Sequence, residues 1–566
     1  MLRRSSTIFE VGVAALVILA AAIALGGCAD VARCEEPGPE GPRTRLPGLT
    51  EPVVVAEGAP IHGASGLRFD GQNRLHVASV LGNEILVMDP ATGEVISTIG
   101  ANAGVVGPDD LAFGPDGSLY WTSFSTGEVA RIDPEGVRTG QSIRPGVNGI
   151  AFSPDGRLFV TVVFMGDALY EVDPQLTAPP RLVATNLGFL NGIDWGPDGA
   201  LYGPLWTKGE VVRVNVDTGE ITSVAGGFNV PSAAKCGPDG RLYVVEQTTG
   251  RVQRVNLPGG EKEAVTSFPP GLDNLAFDRT GHLFVSHGQD GCVSEVLSDG
   301  TARAICGCGM IAPGGVAVVE GAGRRTVYVA DFWTLRGFDA ASGKVTRCLR
   351  HSIGVAGGIT SPFTVSADGT NLILTSWLPR DMVQVFDLET GRVVEEYADL
   401  DTPVNAIRFQ GDIVVVEGGK GNVVRIPARE PKKRVILARG LGEPIGLAAT
   451  EGDLWVSDHA TGSVLQVVAK GRTLHTPAAV ATGLASPEGL AVAKDGSLLV
   501  VEPEIGRLSR VDCVTGQITT VAAGFPPCLL GDHPTWIFNG VAVDAGGSIY
   551  LTSDVDNRIY RIDTKP

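Results

Sequence analysis

One unit recurs along this chain, and a recurrence at fixed spacing constrains the fold more than any single motif. The stretch LNGIDWGPDGALYGPLWTKGEVVRVNVDTGE, beginning at residue 190, lies over PDDLAFGPDGSLYWTSFSTGEVARIDPEG (108–136) and PSAAKCGPDGRLYVVEQTTGRVQRVN (231–256). It also lies over PEGLAVAKDGSLLVVEPEIGRLSRVD (487–512) and FNGVAVDAGGSIYLTSDVDNRIYRID (538–563). Weaker copies begin near residues 64, 147, 272, 313, 361, 404 and 444, which makes twelve at a spacing of roughly 43 residues.

Each copy parses alike. A short apolar run ends in a PDG- or DG-type turn, where glycine supplies the positive φ. A second run such as LYVV or LFVT follows, then a Gly-containing loop and an alternating strand such as EVARID. A TGE- or SGK-type turn leads to a fourth strand such as ITSVAGG. Four strands in each repeat of this length predict an all-β fold built as a β-propeller, and rings hold about four to eight blades. Twelve units therefore divide into two tandem six-bladed propellers of four-stranded blades, expected at 51–306 and 307–566. The composition agrees: 43 % hydrophobic, 6 % aromatic, 76 Gly and 36 Pro suit a turn-rich β protein rather than a disordered one.

Two segments bear on ring closure. EPVVVAEG (51–58) reads as a fourth strand with no third strand before it, while the last repeat ends without a fourth. The simplest arrangement gives 51–58 to the sixth blade and ARAICGCG (302–309) to the twelfth, hiding otherwise open edges. The rival keeps 302–309 in a hairpin with GCVSEVL (291–297), which puts Cys292 near Cys306 or Cys308.

The first residues form a targeting segment. Arg3 and Arg4 precede an apolar run from Val11 to Leu25 that is too short for a membrane span, as in a signal peptide. LGGC (25–28) resembles the bacterial lipobox, which implies a leader at 1–27, cleavage before Cys28 and lipid on its thiol. Ala29 follows where an Asp would favour the inner membrane, so the expected location is the cell envelope, at the outer membrane in a two-membrane cell, with membrane contact through the lipid alone. Residues 28–50 read as a Pro/Gly-rich tether. The formal charge of −18 and the lack of a basic stripe exclude duplex nucleic acid as a partner.

In a propeller the first strands line the axis, so their opening residues converge on the channel mouth. Through the first six repeats, the residue at this point is Ser65, Asp109, Asn148, Asn191, Ser232 and Asp273; the second six read Gly314, Ser361, Asn405, Ile445, Glu488 and Asn539. Such side chains can cap the strand through local hydrogen bonds. They can equally offer oxygens to a hard cation such as Ca²⁺. Asp109, Asn148, Asn191 and Asp273 are the metal candidates in the first ring, with Asn405, Glu488 and Asn539 in the second.

Loops on the same face carry Phe164, Trp206, Trp333 and Trp377 with Glu246, His287, Asp458, His459, Glu502 and Asp554. Aromatics beside carboxylates suit a small molecule, a sugar or an envelope protein as ligand. The insertion GFPPCLLGDHPTWIF (524–538) is a candidate lid for the second ring. Cys236 aligns with Phe113, Phe152 and Trp195, as a packing thiol would. Disulfides are expected among Cys34, Cys292, Cys306, Cys308, Cys348, Cys513 and Cys528. No Walker loop, HExxH, CxxC pair or GxSxG is present.

The NG-hydrophobic-PDG-LYV pattern, over residues 52–566, resembles the six-bladed TolB-like propellers of the gluconolactonase/regucalcin and NHL-repeat groups. The calcium-dependent lactonases among them hold one metal with a Glu from the first blade, two Asn from middle blades and an Asp. Asn148 and Asn191 match the two Asn. Ser65 stands in place of the Glu and Ser232 in place of the Asp, with Asp109 and Asp273 on neighbouring blades. Two functions follow: a binding module, or a metal-dependent hydrolase of lactones or related esters with Asp109 or Asp273 as catalytic base.

Overall fold

The computed structural model describes residues 45–321, 323–351, 358–376, 380–526 and 538–565. The leader, Cys28, Cys34, Trp377, Cys528 and most of the 524–538 insertion lie outside them. Among the described residues there is no α-helix, and the strands form twelve four-stranded antiparallel sheets. The sheets fall into two compact units, each with its own core.

Ring one spans residues 59–311. Its six sheets take their strands in chain order. Their first strands are Ala64–Phe69, Pro108–Phe113, Val147–Phe152, Asp194–Trp195, Pro231–Cys236 and Leu272–Phe277. Each lies beside the first strand of the next sheet, and the sixth returns to the first, the closed cycle of a six-bladed propeller.

The axis is crowded, which explains its small residues. A Cβ on Gly66 would fall 2.6 Å from the Asp109 carbonyl oxygen, and one on Gly192 would fall 2.8 Å from the Ala233 Cβ. Adjacent blades are joined there by a hydroxyl of the second strand. The Asp110 N–H donates to Thr122 Oγ1 (3.0 Å), which donates in turn to the Asn148 carbonyl of the next blade (2.5 Å). Ser286 repeats the relay across the closing seam, from the Asn274 N–H (2.9 Å) to the Ser65 carbonyl (2.7 Å). Where the second strand has Pro204 instead of a hydroxyl, the Gly192 N–H reaches the Ser232 carbonyl of the next blade directly, at 3.0 Å. Either way the axial backbone groups are satisfied, as burial demands.

Ring two comprises residues from 312 onward together with 45–58. Its first strands also close a cycle, from Pro313–Gly321 to Val541–Val543. Thr552 closes the seam as Ser286 does, accepting from the Gly540 N–H (2.8 Å) and donating to the Gly314 carbonyl.

Closure differs from the simplest expectation in both rings. Val53–Glu57 pairs with Arg558–Ile562 in the twelfth sheet, with Val53 opposite Arg561, and not with the sixth. Ala302–Ala304 stays in the sixth sheet opposite Cys292–Val296. The rival hairpin wins because a DG turn joins its strands, with Leu297 N–H donating to the Thr301 carbonyl at 2.8 Å, so almost no loop entropy is spent. A Cys292–Cys308 disulfide fixes it, while Cys236, Cys306, Cys348 and Cys513 are free.

Residues 45–50 are not a free tether. Leu46 N–H donates to the Val521 carbonyl, Thr50 N–H to the Asp563 carbonyl and Lys565 N–H to the Gly48 carbonyl, each at 2.8 Å, so the segment straps the last two blades of ring two.

Candidate functional site

Column-one side chains of ring one do converge at its mouth. Ser65 Oγ lies 2.9 Å from Asp109 Oδ1 and 2.7 Å from Asp273 Oδ2. Asn148 Nδ2 donates to Asp109 Oδ2 at 2.8 Å. A serine hydroxyl has one hydrogen to give, so the second Ser65 contact needs a proton on one of the two carboxyls. Their environments favour that proton. Burial, then the negative charge of Asp273, holds Asp109 well above the usual carboxylate range. Burial, helped by the charge of Asp110, pushes Asp273 up to about 6. Both keep some surface open at the mouth.

The remaining column-one residues behave differently. Asn191 Oδ1 accepts from its own neighbour, the Gly192 N–H, at 2.8 Å, the local cap that its sequence position allows. Its Nδ2, and Asn148 Oδ1, have no partner among the described residues; the two residues are only 8 % and 7 % exposed, and both atoms keep contact with solvent at the mouth. Ser232 Oγ makes one long contact, 3.4 Å, to the Leu272 carbonyl.

Beneath the mouth sits a polar floor that the sequence reading missed. Lys235 Nζ lies 3.2 Å from Asp110 Oδ2, both side chains 1 % exposed, and donates to the Ile193 carbonyl at 3.0 Å. Asn274 Nδ2 donates to Asp110 Oδ1 at 3.1 Å. The available signal was a Lys in an axial strand where sister blades carry Ala112, Ala151 and Ala276, and an Asp where they carry Gly149 and Gly192.

An aromatic group stands at the same end of blades 2 to 4: Phe124 and Phe164 are half-buried, while Trp206 and Phe189 are buried behind them, so Trp206 does not stand on an exposed rim as expected. Phe164 stands edge-on to Trp206 (5.2 Å, 89°) and to Phe189 (5.2 Å), with Phe124 at 6.2 Å. Trp206 N–H donates to the Phe189 carbonyl at 3.0 Å, two residues before Asn191. Phe164 and Phe189 hold φ of 60° and 61°, a left-handed backbone that bulky residues rarely adopt.

Other expected contacts serve the fold. His287 is buried edge-on to Phe268 (4.8 Å), with Nε2 3.3 Å from Ser294 Oγ, so it does not stand on an exposed rim. Glu246, Asp458 and Glu502 are buried at the ends of second strands. Asp458 accepts from the Gly442 (2.8 Å) and Glu443 (2.9 Å) N–H groups, and Glu502 from the Ala485 N–H (2.8 Å), each stapling the segment that leads into its own blade. His459 is half-buried, its N–H donating to the Glu443 carbonyl. Trp333 is half-buried against Phe332 (4.7 Å).

In ring two the register shifts two of the candidates. Thr364 and Thr375 both donate to the Val404 carbonyl at 2.9 Å, as Thr122 does to Asn148. Val404 therefore holds the mouth position and Asn405 the axial one, where its Nδ2 donates to Thr364 Oγ1 at 3.3 Å. By the same register Phe363, not Ser361, faces the mouth. Phe363, Val404, Ile445 and Phe538 pack in one core cluster. Glu488 beside them accepts from Asn539 through its N–H (2.7 Å) and Nδ2 (3.3 Å), and burial pushes its carboxyl up to about 8.

Among the described residues no three His, Cys, Asp or Glu side chains gather as a metal site. The ring-one mouth instead offers mixed oxygens from Asp109, Asp273, Asn148 and Ser65, the donor chemistry of a hard cation. A cation there would take the place of the shared proton.

No family model and no curated protein matches the chain. Among solved structures it is similar to virginiamycin B lyase from Staphylococcus aureus, at 17 % identity and a TM-score of 0.36, over 51 % of this chain and 95 % of that one. It is also similar to a gluconolactonase from Xanthomonas campestris, at 16 % identity and a TM-score of 0.34, over 45 % and 97 %. The extracellular domain of a candidate one-component system from B. thetaiotaomicron covers more, 91 % of this chain and 82 % of its own, at 12 % identity and a TM-score of 0.33. None reaches 0.5, and the fold assignment rests on the twelve sheets and their two cycles.

Proposed function

We propose that this is a binding module of the cell envelope, tethered by lipid on Cys28, whose ligand site is the mouth of ring one and whose guest is a cation. Ca²⁺ is the inorganic ion that suits these oxygens, with Asp109, Asp273, Asn148 and Ser65 as ligands and Asn191 beside them. The observation behind the reading is the single Ser65 hydroxyl set between two carboxyls, an arrangement that lacks positive charge once both ionise. Millimolar Ca²⁺ should raise the melting temperature, since an ion bound only by the folded state at 100 times its Kd adds about 2.7 kcal/mol. Asp109→Asn should abolish the rise and Asn405→Ala, in ring two, should leave it intact. Melting indifferent to Ca²⁺ and to chelator would remove the metal from the reading. For the anchor, Cys28→Ser should move the protein from the membrane to the soluble fraction, and unchanged fractionation would defeat it.

A second reading is hydrolysis of lactones or related esters. It is favoured by one feature: a carboxyl pair sharing a proton supplies an acid and a base together. A lactone screen, with hydrolysis lost in both Asp109→Asn and Asp273→Asn, would support it.

A further inference from the structure

Asp109 and Asp273 meet Ser65 and Asn148, yet no Lys or Arg lies within hydrogen-bond distance of either among the described residues. The nearby buried cation, Lys235, is already committed to Asp110 and the Ile193 carbonyl. The pair thus has no basic side chain of its own. Asn148 Oδ1 and Asn191 Nδ2, on residues more than nine-tenths buried, are unpartnered at the same mouth. They offer an acceptor and a donor to whatever enters.

The aromatic group adds a second requirement. Val147 pairs with Val162, so Phe164 stands two residues beyond the end of its strand, at the mouth end of the blade that carries Asn148. Leu190 bridges Leu205, which puts Trp206 and Phe189 at the mouth end of the blade that carries Asn191. Phe124 occupies the same end of the Asp109 blade, its N–H donating to the Gly107 carbonyl at 3.1 Å. An aromatic wall contributes nothing to a bare, oxygen-coordinated metal ion. It does attract a cation dressed in carbon, through the ring quadrupole and through burial of the ligand's apolar surface.

We infer that the ring-one mouth binds an organic ammonium compound, its charged nitrogen at Asp109 and Asp273 and its apolar body against Phe164 and Phe124. The inference rests on the reading of this mouth as a cation site and names the class of cation. The ammonium hydrogens would go to the carboxylates and Asn148 Oδ1, and Ca²⁺ would compete for the same oxygens.

The test sets phenethylamine against phenethyl alcohol, its neutral isostere, and against Ca²⁺ alone, by titration calorimetry and melting on the full chain. The amine should bind and raise the melting temperature while the alcohol should not, and Ca²⁺ should weaken the amine. Asp109→Asn and Asp273→Asn should each remove amine binding. Phe164→Leu and Phe124→Leu together should weaken the amine by roughly tenfold without altering the Ca²⁺ response. Equal binding of amine and alcohol, or amine binding that survives both carboxamide variants, would overturn the inference. A Ca²⁺ response with no amine response would sink the ammonium assignment and leave the cation site standing. No response to either would sink both.

Discussion

In ring one the six mouth positions are Ser65, Asp109, Asn148, Asn191, Ser232 and Asp273; in ring two they are Gly314, Phe363, Val404, Ile445, Glu488 and Asn539. Both rings use one device at several of their seams: an axial residue whose N–H feeds a second-strand hydroxyl, which feeds the next blade. The side chains diverge. Ring one carries oxygen or amide at every mouth position and leaves two amide atoms unpartnered. Ring two places Phe363, Val404 and Ile445 at three of its mouth positions, packed in one cluster with Phe538, and satisfies Glu488 internally through Asn539. Among the described residues, the same blade thus carries apolar packing at half of the ring-two mouth positions and polar side chains at every ring-one position.

The rings also differ in how they close, and this gives the largest expected effect. Ring one is a continuous segment closed by its own hairpin, disulfide and Ser286. Ring two needs a strand from residues 53–57 to pair with the end of the chain. Deleting residues 45–57 should strip several backbone hydrogen bonds, each worth about 1 kcal/mol, from the twelfth blade. Amides of 541–562 should lose hydrogen-exchange protection while those of 64–304 keep it. Equal loss in both rings would show that they do not unfold independently.

Next in size is Lys235→Met. It leaves Asp110 charged and buried in the floor of ring one, at a cost of about 3–5 kcal/mol for breaking one side of a buried pair. Asp110→Asn with Lys235→Met should recover most of that loss. Urea unfolding of the single and double variants measures both, and additive losses would mean that the two groups do not act as a pair.

How much of this could be read from the sequence follows from which forces are local. The PDG and TGE turns repeat with the strand period, so blade number and strand order were legible. The mouth register was legible wherever a Gly follows the mouth residue, as at Asn148, Asn191 and Glu488. It held without that Gly at Asp109, Ser232 and Asp273, where the distance to the turn glycine is kept, and failed at PVNAIRF and SPFTV, where Asn405 and Thr364 replace the Gly and the turn glycine also comes sooner. The partner of residues 53–57 was misjudged because strand pairing across some 500 residues leaves no local trace. Glu246, Asp458 and Glu502 looked like ligand contacts because a carboxylate that fastens its own blade, through backbone N–H groups at Asp458 and Glu502 or through Thr249 and Gln253 at Glu246, has the same sequence position as one that meets a ligand.

The ring-two mouth should also declare itself by pH. Glu488 holds its proton up to about pH 8 in the folded state, against an ordinary value of 4.5. The folded chain thus binds more protons than the unfolded one in that window, and stability falls as pH rises through it. Glu488→Gln keeps the acceptor for Asn539 and removes the titration. The variant should match the parent near pH 4.5 and exceed it by about 2–4 kcal/mol above pH 8. In ring one Asp273, pushed up to about 6, and Asp109, held well above the carboxylate range, act in the same direction, so the parent–variant difference is what isolates ring two. Denaturation curves at pH 5, 7 and 9 decide this, and a parent–variant difference independent of pH would refute the assignment.

The smallest effect tests what the rings share. Ser286→Ala removes the relay between the Asn274 N–H and the Ser65 carbonyl, and Thr552→Val removes the matching relay between the Gly540 N–H and the Gly314 carbonyl. Each leaves a buried donor and a buried acceptor without partners at a closing seam, a loss of about 1–3 kcal/mol. The two losses should agree within error if closure is one device used twice, and Thr122→Val, at an internal seam of ring one, should cost about as much. The Gly192–Ser232 contact shows that an axial N–H can reach the next blade unaided when no hydroxyl stands between them. If Ser286→Ala costs much less than Thr552→Val, ring one has relaxed into that direct bond, and its seam is the more adaptable of the two. Chemical denaturation of the three variants, with exchange protection at Asn274 and Gly540, reads the difference directly.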